Sequence, residues 1–508
     1  MRKNLIVGST LITTAFFAQS CFSPQADNAQ QTDKLPNIVV IFADDLGFGD
    51  VSVYDAGKIP TPNMDRIAND GIRFENGYAA SATCTPSRFS LLTGQYPWRN
   101  EGAQVLQGDA PLLIDPAQPT LPAMLKKAGY ATGVIGKWHL GLGNGNVDWN
   151  QTVTPGANEV GFDYSYIMAA TNDRVPNVFV KNGKVEGLDP NDPLEVSYRK
   201  NFEGEPTGKD NPEMLKMMYS HGHDMSINNG VSRIGFQKGG KAAQWVDEEM
   251  ADNFLAQAQQ FVRQKKEQPF FLYYALHQPH VPRVPNPRFA GTTGFGPRGD
   301  VIAEADWCIG EFLKTLEVEG LMENTLVIFS SDNGPVLDDG YADDAAEKVG
   351  DHTPWGLFRG GKYSLYDAGT HVPLMVMWKG HIQPGVSEAL VCQVDLFASL
   401  AKLTGQPLPD NDSKELLDVF LGKTENGRES LVVEGLQHKT AFRQGDWVLI
   451  PSYKGSPRVT WGVDMETGFS KEVQLYNIKE DKAQQNNLAQ QMPEKVKALM
   501  ADFQEVLK

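Results

Sequence analysis

The chain predicts an α/β protein: a large mixed, mostly parallel sheet sandwiched by helices, followed by a smaller C-terminal α+β subdomain. Three observations carry this expectation. Apolar runs with little polar alternation recur at Ile38-Val39-Val40-Ile41-Phe42, Phe270-Phe271-Leu272-Tyr273-Tyr274, Leu326-Val327-Ile328-Phe329 and Leu374-Met375-Val376-Met377, the pattern of strands buried on both faces. Helical patterns lie between these runs, and strands that alternate with helices build parallel sheets. From about residue 425 the pattern tightens to close-set strands, which marks the appendage. With 508 residues and 41% apolar side chains, the chain can bury one large core and a small one, divided here into residues 36–424 and 425–508.

At the N-terminus, Arg2 and Lys3 precede an apolar stretch from Leu5 to Phe17, then Ala18-Gln19-Ser20 and Cys21. This pattern reads as a secretory signal over residues 1–20 and is too short for an ordinary membrane span. The segment resembles a bacterial lipoprotein signal, with Cys21 the lipid attachment point and residues 21–35 a polar tether. Ala18 stands where such signals usually carry leucine, so plain cleavage after Ser20 is the alternative. Either way the chain is expected to be exported, to the periplasm or the cell surface, and to meet a membrane only through that lipid.

Within the large domain, Thr61-Pro62 opens a helix that Gly71 closes, and further helices are expected over about Trp245 to Lys266 and Val301 to Leu316. In the appendage, strands are expected at Leu431 to Val433, Thr440 to Arg443 and Trp447 to Ile450. An amphipathic helix from Pro493 to Leu507 follows. The net charge of −17 and pI near 5.0 exclude a general basic surface for nucleic acid or sulfated polymers. An anionic ligand must therefore meet a local cluster of cations. Four scattered cysteines do not make a disulfide framework or a thiolate metal site.

Open α/β sheets bind ligands beyond the carboxyl ends of their strands. Those positions here hold Asp44-Asp45, Ser331-Asp332-Asn333, His277 and His280, and Lys137 and His139. Adjacent carboxylates repel unless a cation sits between them, and an oxygen set of Asp44, Asp45, Asp332 and Asn333 suits a hard divalent ion such as calcium. Taken singly, each acidic pair is more often a helix cap or turn than a ligand; together at matching strand ends they point to a metal. Lys137 and His139 are two apart, which on an extended segment turns both to one side. Cys84 precedes an apolar helix that Gly94 ends, so it stands at a helix N-terminus where negative charge is favoured. Cys308 and Cys392 read as buried filler.

The run Cys84-Thr85-Pro86-Ser87-Arg88 through Leu92-Thr93-Gly94 is similar to the signature of type I sulfatases of the alkaline phosphatase superfamily, whose cysteine is oxidised to formylglycine. The resemblance extends through Asp44-Asp45, Gly136-Lys137-Trp138-His139-Leu140-Gly141, His280-Val281-Pro282, Ser331-Asp332-Asn333-Gly334 and Gly360-Gly361-Lys362. It continues into the tail at Leu475-Tyr476-Asn477-Ile478 and Asn487-Leu488. It implies an alkaline phosphatase-like fold, a calcium ion on Asp44, Asp45, Asp332, Asn333 and residue 84, and a formylglycine-generating maturation enzyme as partner. It further implies that residue 84, as an aldehyde hydrate held by Arg88, attacks the sulfur, and that Lys137 and Lys362 balance the sulfate charge. His280 would protonate the leaving oxygen, and His139 would take the proton that expels sulfate. His280, two residues before Pro282, fits the family's catalytic histidine better than His277. Family members often carry arginine where His371 stands.

Residues 144–241 form an insertion expected to shape specificity. In it Asp173, Arg174 and His223, with His277 nearby, resemble sugar-contacting segments of bacterial carbohydrate sulfatases, although a loop salt bridge accounts equally for the first pair. The expected substrate is a sulfated oligo- or polysaccharide, nearest to 6-O-sulfated galactose or N-acetylgalactosamine. Two other readings of the chain are a phosphatase or phosphodiesterase of the same superfamily and a catalytically silent glycan-binding surface lipoprotein.

Overall fold

A computed structural model describes residues 8, 35–54, 58–408 and 410–508. The expected signal segment, Cys21 and nearly all of the tether lie outside the described residues. Leu35–Lys508 forms one compact unit. Among the described residues, no helix is long and apolar enough to cross a membrane.

Among the described residues, ten strands make the main sheet. Five at its centre run parallel, in the order Thr325–Ser331, Asn37–Ala43, Phe270–Ala275, Ala131–Lys137 and Tyr164–Met168. Leu374–Met377, placed by its apolar run, pairs antiparallel with Thr325–Ser331. Beyond it lie Ile72–Tyr78 and Gly385–Cys392, parallel to each other. The sheet is thus mixed, with its parallel part where the chain is most apolar.

Alternation along one strand shows why it is buried on both faces. Ile38, Val40 and Phe42 enter a core with Leu121, Leu125, Phe397 and Leu400, from Leu121–Lys127 and Leu396–Leu403. Val39, Ile41 and Ala43 enter a second core with Ile67, Phe254, Phe261, Ile309 and Phe312, from Pro62–Asn69, Met250–Lys265 and Gly296–Val318. Those three helices fall on the expected segments, with Met250–Lys265 starting later and Gly296–Val318 starting earlier than expected. Its first turn brings Arg298 to the Asp50 carboxylate, with bonds of 2.7 and 2.6 Å.

Asp50 fixes the loop that leaves the Asn37 strand. It accepts from Arg298, from Gly47 N at 2.7 Å and sits 2.8 Å from His352 Nε2. Burial raises its pKa, but Arg298 and His352 outweigh burial and bring it down to about 2. A carboxylate depressed on folding stabilises the protein above its unfolded value near 4, and that contribution disappears as pH falls through the folded value. The expected outcome is that the melting temperature of Asp50→Asn lies below wild type at neutral pH. The gap should narrow between about pH 4 and pH 2, which thermal melts across pH check; a constant gap contradicts it.

The C-terminal sheet is antiparallel, in the order Ser430–Glu434, Thr440–Gln444, Trp447–Ile450 and Gln474–Asn477. Helix Pro493–Leu507 covers one face through Leu499 and Phe503 against Phe442, Leu449 and Leu475. The other face packs Leu431, Ala441, Val448 and Ile450 with Tyr78, Leu365 and Leu390 of the large domain.

Candidate active site

Ala43 and Ser331 are register partners, so Asp44-Asp45 and Asp332-Asn333 leave the sheet side by side. Asp45 turns into the left-handed region, φ 64°, and its amide donates to Asp332 Oδ1 at 3.1 Å. Asp44 N donates to Gln278 O at 3.0 Å, which ties the acids to the loop that carries His280. Neither pair caps a helix: the next helical turn, Phe48–Asp50, has Gly47 at its cap. The capping alternative fails because the backbone turns away before any helix begins.

One oxygen from each of Asp44, Asp45 and Asp332 lies within 4.8 Å of the others, all buried. Asn333 Nδ2 donates to Asp45 Oδ1 at 2.7 Å and to Gly334 O at 2.9 Å, while its Oδ1 is buried without a partner. Buried oxygens are ordinarily satisfied. Three converging carboxylates, with an orphaned amide oxygen on the residue bonded to one of them, form an all-oxygen donor set that fits a hard divalent cation. Burial holds the Asp44 carboxyl well above the usual carboxylate range, against the pull of Lys137 and aided by Asp332 and Asp45. Burial also acts on Asp45, but Lys362 and Lys137 overcome it and lower its pKa.

Three cationic side chains close around this cluster. Lys137 Nζ donates to both oxygens of Asp44 at 2.6 Å and stands 3.7 Å from Asp332 Oδ2. Arg88, four residues into the helix Cys84–Thr93, donates to Asp332 Oδ2 from Nε and Nη2 at 3.0 and 2.7 Å and to Tyr273 OH at 3.1 Å. Lys362 Nζ bridges Asp45 Oδ2 and Asp339 Oδ2, each at 2.8 Å. All three are buried. Cations fixed in a low-dielectric site against a chain of charge −17 supply the local cation cluster that an anionic ligand needs.

Cys84 begins its helix at 2% exposure and opens onto a cavity of about 210 Å³, lined also by Asp173, Arg174, His223, His280 and Lys362. Burial pushes its thiol pKa up despite Lys137 and Lys362, so the unmodified side chain stays protonated and is a poor nucleophile. His280 Nδ1 sits 2.6 Å from Val281 O, which can only accept, so Nδ1 carries the proton and Nε2 stands 3.8 Å from Asp45 Oδ2. By the same reasoning His139 Nε2 donates to Leu106 O at 2.9 Å. Its Nδ1 is buried without a partner and available to accept a proton. Burial, with Lys137 nearby, lowers both imidazole pKa values well below their ordinary range, with Lys362 a larger contributor at His280.

Residues 36–406 match the family model described as Sulfatase. The chain belongs to the sulfatase family. It is 51% identical over 480 residues to an N-acetylgalactosamine-6-O-sulfatase of Bacteroides thetaiotaomicron, covering 94% of this chain and 93% of that protein. Human arylsulfatase A is 32% identical over 407 residues, 78% of this chain and 70% of the relative. A solved structure from work on the metabolism of multiple glycosaminoglycans by Bacteroides thetaiotaomicron superposes with a TM-score of 0.91 at 50% identity. The superposition covers 93% of this chain and 99% of that one. The chain is therefore a sulfuric ester hydrolase with the sulfatase fold.

In this sulfatase the expected residues Asp44, Asp45, Cys84, Arg88, Lys137, His280, Asp332, Asn333 and Lys362 converge. His139 reaches the same region by a different route from the one expected. At φ 54° it is left-handed, so the segment after Lys137 is not extended there; Thr85 Oγ1 donates to its carbonyl at 2.8 Å and holds it beside Cys84. Asp173 accepts from Arg174 Nη1 at 2.9 Å and lies 2.9 Å from His223 Nε2, all three at the cavity wall. The loop salt bridge thus forms, and its residues line the cavity. His277 is not among the lining residues: it sits against Phe254, ring centroids 5.9 Å apart, and burial lowers its pKa to about 3. His371 lies elsewhere too, between Asp367, Tyr78 and the stacked ring of Phe358.

Sequence reasoning missed Asp339, which clamps Lys362 and accepts from Tyr363 OH at 3.0 Å. Its signal was present: Asp338-Asp339-Gly340 follows the Asp332-Asn333 strand end by a few residues, and Gly340 at φ 116° leaves no room for a Cβ beside the His223 ring.

Proposed function

We propose that the enzyme removes the 6-O-sulfate of N-acetylgalactosamine in a sulfated glycan, with residue 84 matured to formylglycine and calcium at the acidic cluster. The observation that carries the substrate is the likeness, over nearly the whole of both chains, to the Bacteroides N-acetylgalactosamine-6-O-sulfatase. Physical support for the chemistry is that Lys362 and Arg174 line one small cavity with Cys84 and His280 in an acidic protein, while Lys137 is bonded to Asp44 of the acidic cluster.

Calcium would be held by Asp44, Asp45, Asp332, Asn333 Oδ1 and residue 84, and when bound it polarises the sulfate oxygens as a Lewis acid. The remaining work falls to side chains. Lys137 and Lys362 hold the nonbridging oxygens and stabilise the charge that develops on them. Arg88 fixes Asp332 and the first turn of the Cys84 helix, which aims the oxygen nucleophile at residue 84 along the S–O axis. Burial and, after it, Lys362 and Lys137 depress His280; the sulfate charge offsets the two lysines and so favours a proton at Nε2, which passes to O6 of the sugar as the S–O6 bond breaks. His139 Nδ1 accepts the proton from residue 84 whose loss expels sulfate.

Matured enzyme is expected to release sulfate from N-acetylgalactosamine-6-sulfate and not from the 4-sulfate or from 2-sulfated uronate. A chelator should abolish release, and calcium restore it. Because a ligand that binds only the folded state stabilises it, calcium at about a hundred times its Kd should add about 2.7 kcal/mol, read as a rise in melting temperature. Release from another sulfate position, or release and melting temperature both indifferent to chelator, would remove this reading.

A further inference from the structure

We infer that Trp461 is the platform on which the apolar face of the substrate's sugar ring lies, and that it sets the preference for a galacto-configured ring; this rests on the substrate proposed above. Strands Trp447–Ile450 and Gln474–Asn477 are antiparallel neighbours, yet residues 451–473 join them, far more than the two to five residues a hairpin needs. A connection of that length in a compact domain usually does something. Here it crosses from the C-terminal sheet to the catalytic cavity.

The loop is seated by packing. Val459, Val463 and Met465 are buried in a small cluster with Val336 and Tyr363 of the large domain. Gly462, at φ 106°, lies so close to His221 that a Cβ would stand 2.5 Å from the ring, so the backbone itself is pressed against a cavity-lining histidine. Between these anchors Trp461 projects to the mouth. It meets Tyr363 nearly perpendicularly, with centroids 5.3 Å apart at 86°, and both rings line the cavity with Cys84, His280 and Lys362.

Trp461 remains 46% exposed and is the one aromatic among the large apolar side chains exposed in the described residues. Exposed apolar residues scattered singly need no explanation. A tryptophan held by a purpose-shaped loop at the mouth of a catalytic cavity is a different case. Its indole offers a large, rigid apolar face at little conformational cost. A galacto-configured pyranose has an axial O4, which leaves the C3, C4 and C5 hydrogens together on one face. That face suits an indole, whereas an equatorial O4 places its C4 hydrogen on the opposite side.

The test is steady-state kinetics of matured Trp461→Ala and Trp461→Phe on N-acetylgalactosamine-6-sulfate and N-acetylglucosamine-6-sulfate. Loss of a contact made equally in ground and transition states raises KM and leaves kcat. Trp461→Ala is expected to raise KM roughly tenfold on the galacto substrate, the scale of one aromatic contact. Its kcat should stay within about threefold, and the galacto preference should shrink. Trp461→Phe should recover most of the loss. Unchanged KM in Trp461→Ala, at a melting temperature equal to wild type, overturns the inference. If wild type does not cleave the galactosamine ester, the substrate proposal fails. The same comparison on the sulfated sugar it does cleave then decides the platform, a raised KM supporting it and an equal KM overturning it.

Discussion

Cys84→Ala and Cys84→Ser should each lower kcat by about four orders of magnitude or more, the scale seen when a covalent nucleophile is removed, while the fold survives. Cys84 is buried at the first position of its helix, and no side chain caps that helix. Removing or exchanging one sulfur therefore opens at most a small void and breaks no ladder bond, for a stability change of about 1 kcal/mol. Serine is the sharper variant because its hydroxyl keeps the shape and can still meet a cation, yet it cannot become an aldehyde hydrate. Turnover assays beside thermal melts check both halves. Serine with wild-type turnover would mean that an ordinary hydroxyl suffices and that maturation has no role.

Lys137→Ala is expected to reduce kcat by roughly two to three orders of magnitude, the usual scale for one preorganised electrostatic contact, and to destabilise the protein as well. Lys137 Nζ is the donor to both Asp44 oxygens, and its loss leaves a buried carboxylate facing Asp45 and Asp332. Breaking a buried pair by removing one partner costs about 3–5 kcal/mol. The two losses should respond differently to calcium. Added calcium recovers melting temperature, because a dication can neutralise the carboxylates left without their lysine, but it does not recover kcat, because it cannot replace an ammonium at the sulfate. Full recovery of turnover by calcium would show that Lys137 serves only to hold the acids together.

The two other functional classes make different demands. A two-zinc phosphatase needs additional histidine and aspartate ligands. Among the described residues the three-carboxylate cluster has His280 beside it, and His280 Nδ1 is already engaged by Val281 O. A silent glycan binder would keep the cavity and the Trp461 platform while failing every turnover assay above.

Much of the site was legible because its residues stand at strand ends. A parallel strand buried on both faces announces itself as an unbroken apolar run, and Asp44-Asp45 and Asp332-Asn333 follow directly on the strands Asn37–Ala43 and Thr325–Ser331, where the sheet stops and the site begins. Lys137 was readable for the same reason, as the last residue of Ala131–Lys137. His139 was identified but misplaced in conformation, since a left-handed backbone at a non-glycine residue has no signature in composition or spacing. His277 and His280 both follow the strand that ends at Ala275, and it was the resemblance at Pro282, not polarity or spacing, that favoured His280. Only the path of the loop separates the one against Phe254 from the one over Asp45. Trp461 could not have been read at all, because it is distant in sequence from every other cavity residue. Its placement depends on Val459, Val463 and Met465 finding Tyr363 across the boundary between the two sheets.

Residue 84 working as formylglycine is open to one decisive measurement, the mass of the tryptic peptide spanning Phe74 to Arg88 taken from enzyme that is releasing sulfate. The aldehyde and its hydrate in place of the thiol, in a proportion that tracks specific activity across preparations, is the predicted result. Fully active enzyme whose residue 84 is intact cysteine would contradict it.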